Sequence, residues 1–273
     1  INRIQSVEQT AAVISGLRAA GIGAVSFDLI YGLPKQTVQS CLDTVEQCLA
    51  MRPERFSIFG YAHVPEFKKH QRRIATADLP DGEERHEQAE AMARNLVAAG
   101  YVRIGLDHFA LPEDPMARAL SQGRLHRNFQ GYTTDPCEAL IGFGASAIGK
   151  LPQGYVQNEV VIGRYAERVA DNALPIARGY RLSAEDRLRA ELIERVMCDL
   201  SVDIGAVCAR HPVDPRVLAP SLSALDALAR EGMIDFDGSH VLLPENARLF
   251  VRKVASVFDA HIDQLPRRYS RAV

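Results

Sequence analysis

The stretch AVSFDLIYGL, residues 24–33, decides how this chain is read. It is a nearly continuous apolar run closed by Gly32-Leu33-Pro34, the pattern of a parallel strand covered on both faces. A helical pattern precedes it at 7–20, with Ala11, Ile14 and Leu17 inward and Gly21 as its stop. Another helix follows at 37–51. RFSIFGYA at 55–62 reads as a second strand, 83–99 as a helix stopped by Gly100, and YVRIGL at 101–106 as a third strand. Strands and helices in alternation, joined by short turns, imply a parallel sheet or barrel. The pattern opens on a helix, so the chain is expected to hold the later part of such a barrel.

Residues 111–180 are less regular. They hold a short helix near 114–122, a loop HRNFQGYTT, a Gly/Ala-rich stretch GFGASAIG and a helix near 159–171. The character changes at Ser183, whose Ser-Ala-Glu-Asp run resembles a capping box. It opens a helix with Leu188, Leu192, Val196 and Leu200 in register. Helices follow at 203–211 and 215–231, then a hairpin at 234–243 turning at Asp237-Gly238. A last helix behind Pro244 carries Leu249, Phe250, Val254 and Phe258. The expected fold class is α/β: a partial (β/α) barrel over 1–180, then a mainly helical, winged-helix-like domain over 181–273.

The 273 residues are 47% hydrophobic and 24% charged, an ordinary globular composition. Lys+Arg 32 against Asp+Glu 34 gives −2 at pH 7, so no basic field points to nucleic acid or an anionic membrane. No apolar run reaches the roughly 18 residues that span a bilayer, and no signal-peptide pattern is seen. The first residue is Ile1 rather than Met, so the chain is expected to be a piece of something longer. The cysteines are Cys41, Cys48, Cys137, Cys198 and Cys208, an odd number with no close pair. Neither a disulfide framework nor a metal knuckle is indicated, and the expected compartment is the reducing cytoplasm. Cys41 and Cys48 join Val38, Leu42, Val45 and Leu49 on one apolar helix stripe, as packing thiols.

Polar groups stand out where apolar ones are expected. The period of two sets Ser26, Asp28 and Ile30 on one face of the first strand and Val25, Phe27, Leu29 and Tyr31 on the other. An ionised Asp28 in a buried strand needs a partner, either within the sheet or in a ligand. The second strand ends in Tyr61-Ala62-His63 and the third in Asp107-His108-Phe109, polar and aromatic ends of the kind that mark the active face of barrels. HRNFQGYTT gathers His126, Arg127, Asn128, Phe129, Gln130 and Tyr132, which suits a ligand-binding loop. GFGASAIG fits either close approach to a ligand or a tight turn. Lys68, Lys69, Arg72 and Arg73, with Arg127, read either as a cationic pocket for carboxylates or as a solvated face. The basic RRYSR run at 267–271 reads as a solvated end.

FDLIYGLPKQT, GYAHVP, the Gln-Arg-Arg-Ile at 71–74, GLDHFA, LHRNFQGYTT and GFGASAI, in this order, resemble the oxygen-independent coproporphyrinogen III oxidases, radical SAM enzymes of haem biosynthesis. The resemblance implies a [4Fe–4S] cluster, two S-adenosylmethionine molecules, the substrate coproporphyrinogen III and an electron donor protein. An adenosyl radical would turn two propionates into vinyl groups, giving protoporphyrinogen IX, in a cytoplasmic monomer. By resemblance, Arg3, Asp28, Ala62 and Ile148 fall on S-adenosylmethionine positions, and Ile30, Phe129 and Gln130 lie near the second molecule. Arg72, Arg73 and Arg127 are assigned to substrate by charge. The family's Cys-x3-Cys-x2-Cys and its early Gly-rich and glutamate residues have no counterpart here. No metal ligands are expected in this chain, and on its own it is not expected to run the chemistry. Other classes are a related haem-binding carrier and a winged-helix nucleic-acid binder. Against the latter, the helix at 215–231 sets Arg216 and Arg230 beside Asp226 and Glu231.

Overall fold

The structure, a computed structural model, describes residues 4–262. These pack as two units, 4–124 and Leu125–Ile262.

The first unit begins with α1 (Val7–Ala19), whose capping box on Ser6 and Gln9 starts the helix. β1 (Ser26–Tyr31), α2 (Val38–Ala50) and β2 (Arg55–Gly60) follow, then α3 (Gly82–Ala98), β3 (Val102–Ile104), β4 (His108–Ala110) and α4 (Pro115–Ser121). Of the residues expected inward on α1, Ile14 is buried, while Ala11 and Leu17 are half-buried. β1 and β2 run parallel, with Asp28 opposite Ser57 and Ile30 opposite Phe59.

The expected third strand forms as β3 and runs in the same sense as β1 and β2, but it does not pair with β2 directly. Gly105, at φ 53°, turns the chain after Ile104, and β4 returns antiparallel to both β3 and β2, giving the order β1-β2-β4-β3. YVRIGLDHFA is therefore a hairpin closed through a left-handed glycine.

Nor is β1 covered on both faces. Phe27, Leu29 and Tyr31 turn inward, whereas Ser26, Asp28 and Ile30 are exposed. The inner face is aromatic: Phe56, with no exposure, meets Phe27 and Tyr101 edge-on at centroid distances of 5.9 and 5.1 Å. Burial of such a ring contributes about 2–3 kcal/mol. Helices α2 and α3 pack on each other, and the Arg103–Glu90 pair at 2.9 Å joins β3 to α3 on the same side. Because Asp28 is exposed, it carries no burial cost that would demand a partner.

In the second unit, β5 (His126–Asn128) and β6 (Gly131–Thr133) pair antiparallel, so HRNFQGYTT is a hairpin rather than a loop. β7 (Ile148–Leu151), β8 (Gly154–Asn158) and β9 (Ile176–Arg181) form an antiparallel sheet that the sequence pattern did not reveal, with α5 (Ile162–Ala170) inserted before β9. α6 (Ala184–Asp199) is capped by Ser183 as expected and buries Leu188, Leu192 and Val196. It stops where Leu200 turns left-handed at φ 57°, so Leu200 closes the helix rather than extending its stripe.

β10 (Ser201–Asp203), α7 (Ile204–Cys208), α8 (Ala219–Arg230), β11 (Asp235–Phe236), β12 (His240–Leu242) and α9 (Val251–Ser256) complete the unit. β11 and β12 pair around the Asp237-Gly238 turn, and β10 joins their sheet. In the last helical stretch Val251, Val254 and Phe258 are buried while Phe250 faces out. Buried Arg189 ties these helices together, donating to Val217 O at 2.8 Å, Phe258 O at 3.2 Å and Glu185 at 2.8 Å. The boundary expected near residue 180 is crossed by packing: Arg195 of α6 donates to Leu125 O at 2.7 Å, and Tyr132 donates to Met197 O at 3.0 Å.

Asp186, in the first turn of α6, is opposed by burial. Hydrogen bonds from His261 Nε2 at 2.8 Å and from Ser183 outweigh that opposition and bring its pKa down to about 2. A carboxyl held below its ordinary value stabilises the fold above that value and loses the contribution as pH falls towards 2. Urea midpoints of the wild type are expected to drop between pH 5 and pH 2.5 more steeply than those of Asp186→Asn. Parallel curves would contradict this. Burial raises the thiols of Cys41 and Cys48 to about 11 and that of Cys198 to about 12. Iodoacetamide at pH 8, read by mass spectrometry, is expected to label exposed Cys137 in the native chain and Cys41 and Cys198 only after urea unfolding.

Candidate functional site

Pairing in the β1–β2–β4 sheet sets Asp28, Ser57 and His108 in one row on the face away from the aromatic core. Phe59 lies on the same face and meets His108 edge-on at 6.0 Å. Asp107, in the β3–β4 turn, holds His108 Nδ1 at 2.7 Å. Ile30, 46% exposed, lies two residues beyond Asp28. At the end of β2 the chain runs through Tyr61, exposed Ala62 and His63. Asp28 and Ile30 are thus open to solvent at one edge of this row, while Ser57 is buried and His108 half-buried behind them.

Buried amides shape the loops beside it. Gln88 of α3, 1% exposed, accepts from Gly32 N at 2.9 Å and donates to Gln36 O at 2.8 Å, clamping the turn after β1. Arg85 of α3 donates to Tyr61 O at 3.0 Å and lies over the Tyr31 ring at 5.9 Å. A Cβ at Gly60 would stand 3.0 Å from both the Arg85 guanidinium and the Tyr31 hydroxyl and would press on both. Gln71 donates to Ala62 O at 2.9 Å and accepts from Val64 N at 2.6 Å. Sequence reasoning gave no role to Gln88 and Arg85, and quoted Gln71 only as part of the Gln-Arg-Arg-Ile motif. The available signal was a glutamine on the apolar side of α3, between Arg85 and the buried Ala89 and Met92.

In the second unit, Phe129 and Gln130 form the two-residue tip of the β5–β6 hairpin, with Gln130 N donating to Asn128 Oδ1 at 2.8 Å. Phe129 meets Tyr155 of β8 at 5.2 Å. Ile148 pairs with Gln157 and Lys150 with Tyr155, so Ile148 and Tyr155 share one sheet face. Glu194 of α6 accepts from Arg127 N at 2.9 Å and approaches His126 Nδ1 at 3.3 Å, anchoring the hairpin base. The Arg127 guanidinium lies over Tyr132 at 5.4 Å, and its buried Nε has no hydrogen-bond partner among the described residues. The Gly-rich stretch is explained by backbone packing. A Cβ at Gly142 would meet Ile148 O at 2.8 Å, and Asn158 donates to Gly142 O at 3.1 Å and Gly144 O at 3.0 Å.

Of the residues singled out from sequence, Asp28 and Ile30 share β1, and Ala62 follows its neighbour β2. Phe129 and Gln130 share one turn, and Ile148 lies on the sheet that Phe129 packs against. Arg72 and Arg73 are exposed on a short 3-10 helix with Lys69, and Arg72 Nε donates to Pro65 O at 3.2 Å. Arg127 lies in the other unit. Arg3 and the 267–271 run lie outside the described residues.

The open β1 face, with a carboxylate acceptor, an apolar neighbour and a nearby exposed backbone amide, fits an adenosyl ligand. The cysteines do not fit an iron–sulfur cluster. Cys41 and Cys48 lie on α2, Cys137 in a loop, Cys198 on α6 and Cys208 at the end of α7. Among the described residues no group of three His, Cys, Asp or Glu could hold a metal ion. A cluster needs converging thiolates, and these are dispersed.

Residues 182–250 match the HemN C-terminal domain family. The whole chain is 58% identical to the oxygen-independent coproporphyrinogen III oxidase of Bradyrhizobium diazoefficiens, covering 61% of that protein. It is 41% identical to the anaerobic coproporphyrinogen III oxidase 1 of Cereibacter sphaeroides, covering 60% of it. The solved coproporphyrinogen III oxidase (HemN) of Escherichia coli, described as a radical SAM enzyme, is similar over 96% of this chain and 60% of its own, with a TM-score of 0.90 at 34% identity. The chain spans about three-fifths of the length of these relatives. Along its entire length, this chain is similar to about three-fifths of the oxygen-independent coproporphyrinogen III oxidases, and its residues 182–250 match the C-terminal domain family.

Proposed function

We propose that this chain carries the S-adenosylmethionine- and substrate-facing part of an oxygen-independent coproporphyrinogen III oxidase. The enzyme would be cytoplasmic and monomeric, draw its electron from a separate donor protein and convert two propionates of coproporphyrinogen III into vinyl groups. One observation carries the reading: Asp28 and Ile30 stand exposed on the uncovered face of β1, at positions where the family resemblance puts S-adenosylmethionine contacts. The names of the relatives favour an oxidase over a haem carrier. Free thiols support a reducing compartment, and no helix among the described residues is long and apolar enough to cross a membrane.

Bound S-adenosylmethionine would supply the radical chemistry at the propionates, and the residues of this chain would hold it. The residues here bind and orient. The Asp28 carboxylate accepts from ribose hydroxyls or from the ammonium group. Ala62 offers its backbone beside the same face. Ile148 falls with Asp28 and Ala62 on S-adenosylmethionine positions, whereas Ile30, Gln130 and Phe129, the last braced by Tyr155, supply mixed apolar and amide surface near a second S-adenosylmethionine. Arg127 binds a propionate through its planar fork, and Arg72 and Arg73 add cationic surface for the substrate's other carboxylates.

Asp28→Ala is expected to weaken S-adenosylmethionine binding by about 1–3 kcal/mol, the usual loss for one charge-assisted bond. Thermal unfolding should change little, because the side chain is exposed. Calorimetric titration showing wild-type affinity would overturn the assignment. In an active oxidase carrying these residues, the combined Arg72→Gln, Arg73→Gln and Arg127→Gln variant is expected to raise KM for coproporphyrinogen III and to flatten its dependence on ionic strength. An unchanged KM would remove these arginines from the substrate site.

A further inference from the structure

The 3-10 helix Lys69–Arg73 is a basic, solvated segment with one exception: Gln71 is buried at 7% exposure, while its neighbours Lys68, Lys69, His70, Arg72 and Arg73 are exposed. Its carboxamide reaches back to the strand-end segment after β2, donating to Ala62 O at 2.9 Å and accepting from Val64 N at 2.6 Å. The same segment is fixed upstream, where Tyr61 N donates to Tyr31 O at 2.8 Å and Tyr61 O accepts from Arg85 at 3.0 Å. Tyr61 N and O, Ala62 O and Val64 N are thus all engaged. The N–H of Ala62, an exposed residue, donates to no protein acceptor among the described residues.

We propose that Gln71 is a positioning residue for nucleoside recognition: by engaging Ala62 O and Val64 N it holds the Ala62 N–H outward as a donor for a ring-nitrogen acceptor of the adenine in S-adenosylmethionine. The inference rests on the reading of Ala62 as a cofactor contact. A glutamine is required because both halves of the carboxamide are used, one as donor and one as acceptor. Glutamate keeps the acceptor but sets an oxygen against Ala62 O, and methionine keeps the length but neither bond.

The test uses the whole chain and S-adenosylhomocysteine as probe, with binding followed by calorimetry and amide exchange of residues 61–64 followed by mass spectrometry. Gln71→Met and Gln71→Glu are each expected to lose about tenfold or more in affinity, the scale of one or two hydrogen bonds. They are also expected to speed exchange of the segment in the ligand-free chain. Val45→Ala, which opens a cavity in the buried face of α2 in the same unit, serves as a control for lost stability and should keep wild-type affinity well below its Tm. Wild-type affinity in both Gln71 variants, or an equal loss in Val45→Ala, overturns the positioning role. Absence of binding by the wild-type chain overturns it together with the cofactor reading. Binding that survives Asp28→Ala but not Gln71→Met removes Asp28 from the site and leaves the Gln71 role standing.

Discussion

Phe56 is the side chain on which the first unit depends. It is completely buried between Phe27 and Tyr101, near the start of β2. A strand alternates its side chains strictly, so seating Phe56 in the aromatic core turns Arg55 and Ser57 to the opposite face. Pairing carries that choice to the neighbours: Ser57 has Asp28 opposite it on one side and His108 on the other. One hydrophobic contact thus selects the register that leaves Asp28 and Ile30 exposed. A slip of one residue would bury Asp28 and expose Phe27.

The loops around this face are held by amides rather than by charges. Gln88 and Gln71 are buried, and each bonds backbone on both sides of a turn. A neutral amide can satisfy an N–H and a C=O at once and, unlike an ion, needs no counter-charge in the interior. Lys68, Lys69, Arg72 and Arg73, so prominent in the sequence, remain in solvent. In the second unit the same task falls to Asn158 under the Gly-rich stretch and to the Glu194 carboxylate under the β5–β6 hairpin. The base of the hairpin is bonded to α6, so the helix is part of the mount for Phe129 and Gln130.

The cysteines show how far a residue type can mislead when read without position. Cys41 and Cys198 sit at full burial on helix faces, where desolvation keeps them as thiols. They are packing residues of the core, on the stripe the sequence indicated for Cys41. The five thiols are dispersed over α2, a loop, α6 and the end of α7.

Much of this was legible in the sequence. The alternation in 24–33, the caps at Ser6 and Ser183, the Gly238 turn and the helices between them are local signals, because dihedral preference, capping and amphipathic period act within a few residues. The ordered motifs marked the family, and the parity of Asp28 and Ile30 placed them on one face. Three features were decided only by tertiary structure: the antiparallel return of β4, the sheet of β7, β8 and β9, and the openness of one face of β1. Strand direction and partnership are set by hydrogen bonds between residues far apart in the chain. Whether an apolar strand is covered depends on which helices lie over it, and neither leaves a periodic trace in the strand itself. The roles of Gln71 and Gln88 stayed hidden for the same reason: a glutamine in a charged segment looks solvated until the backbone it bonds is brought beside it.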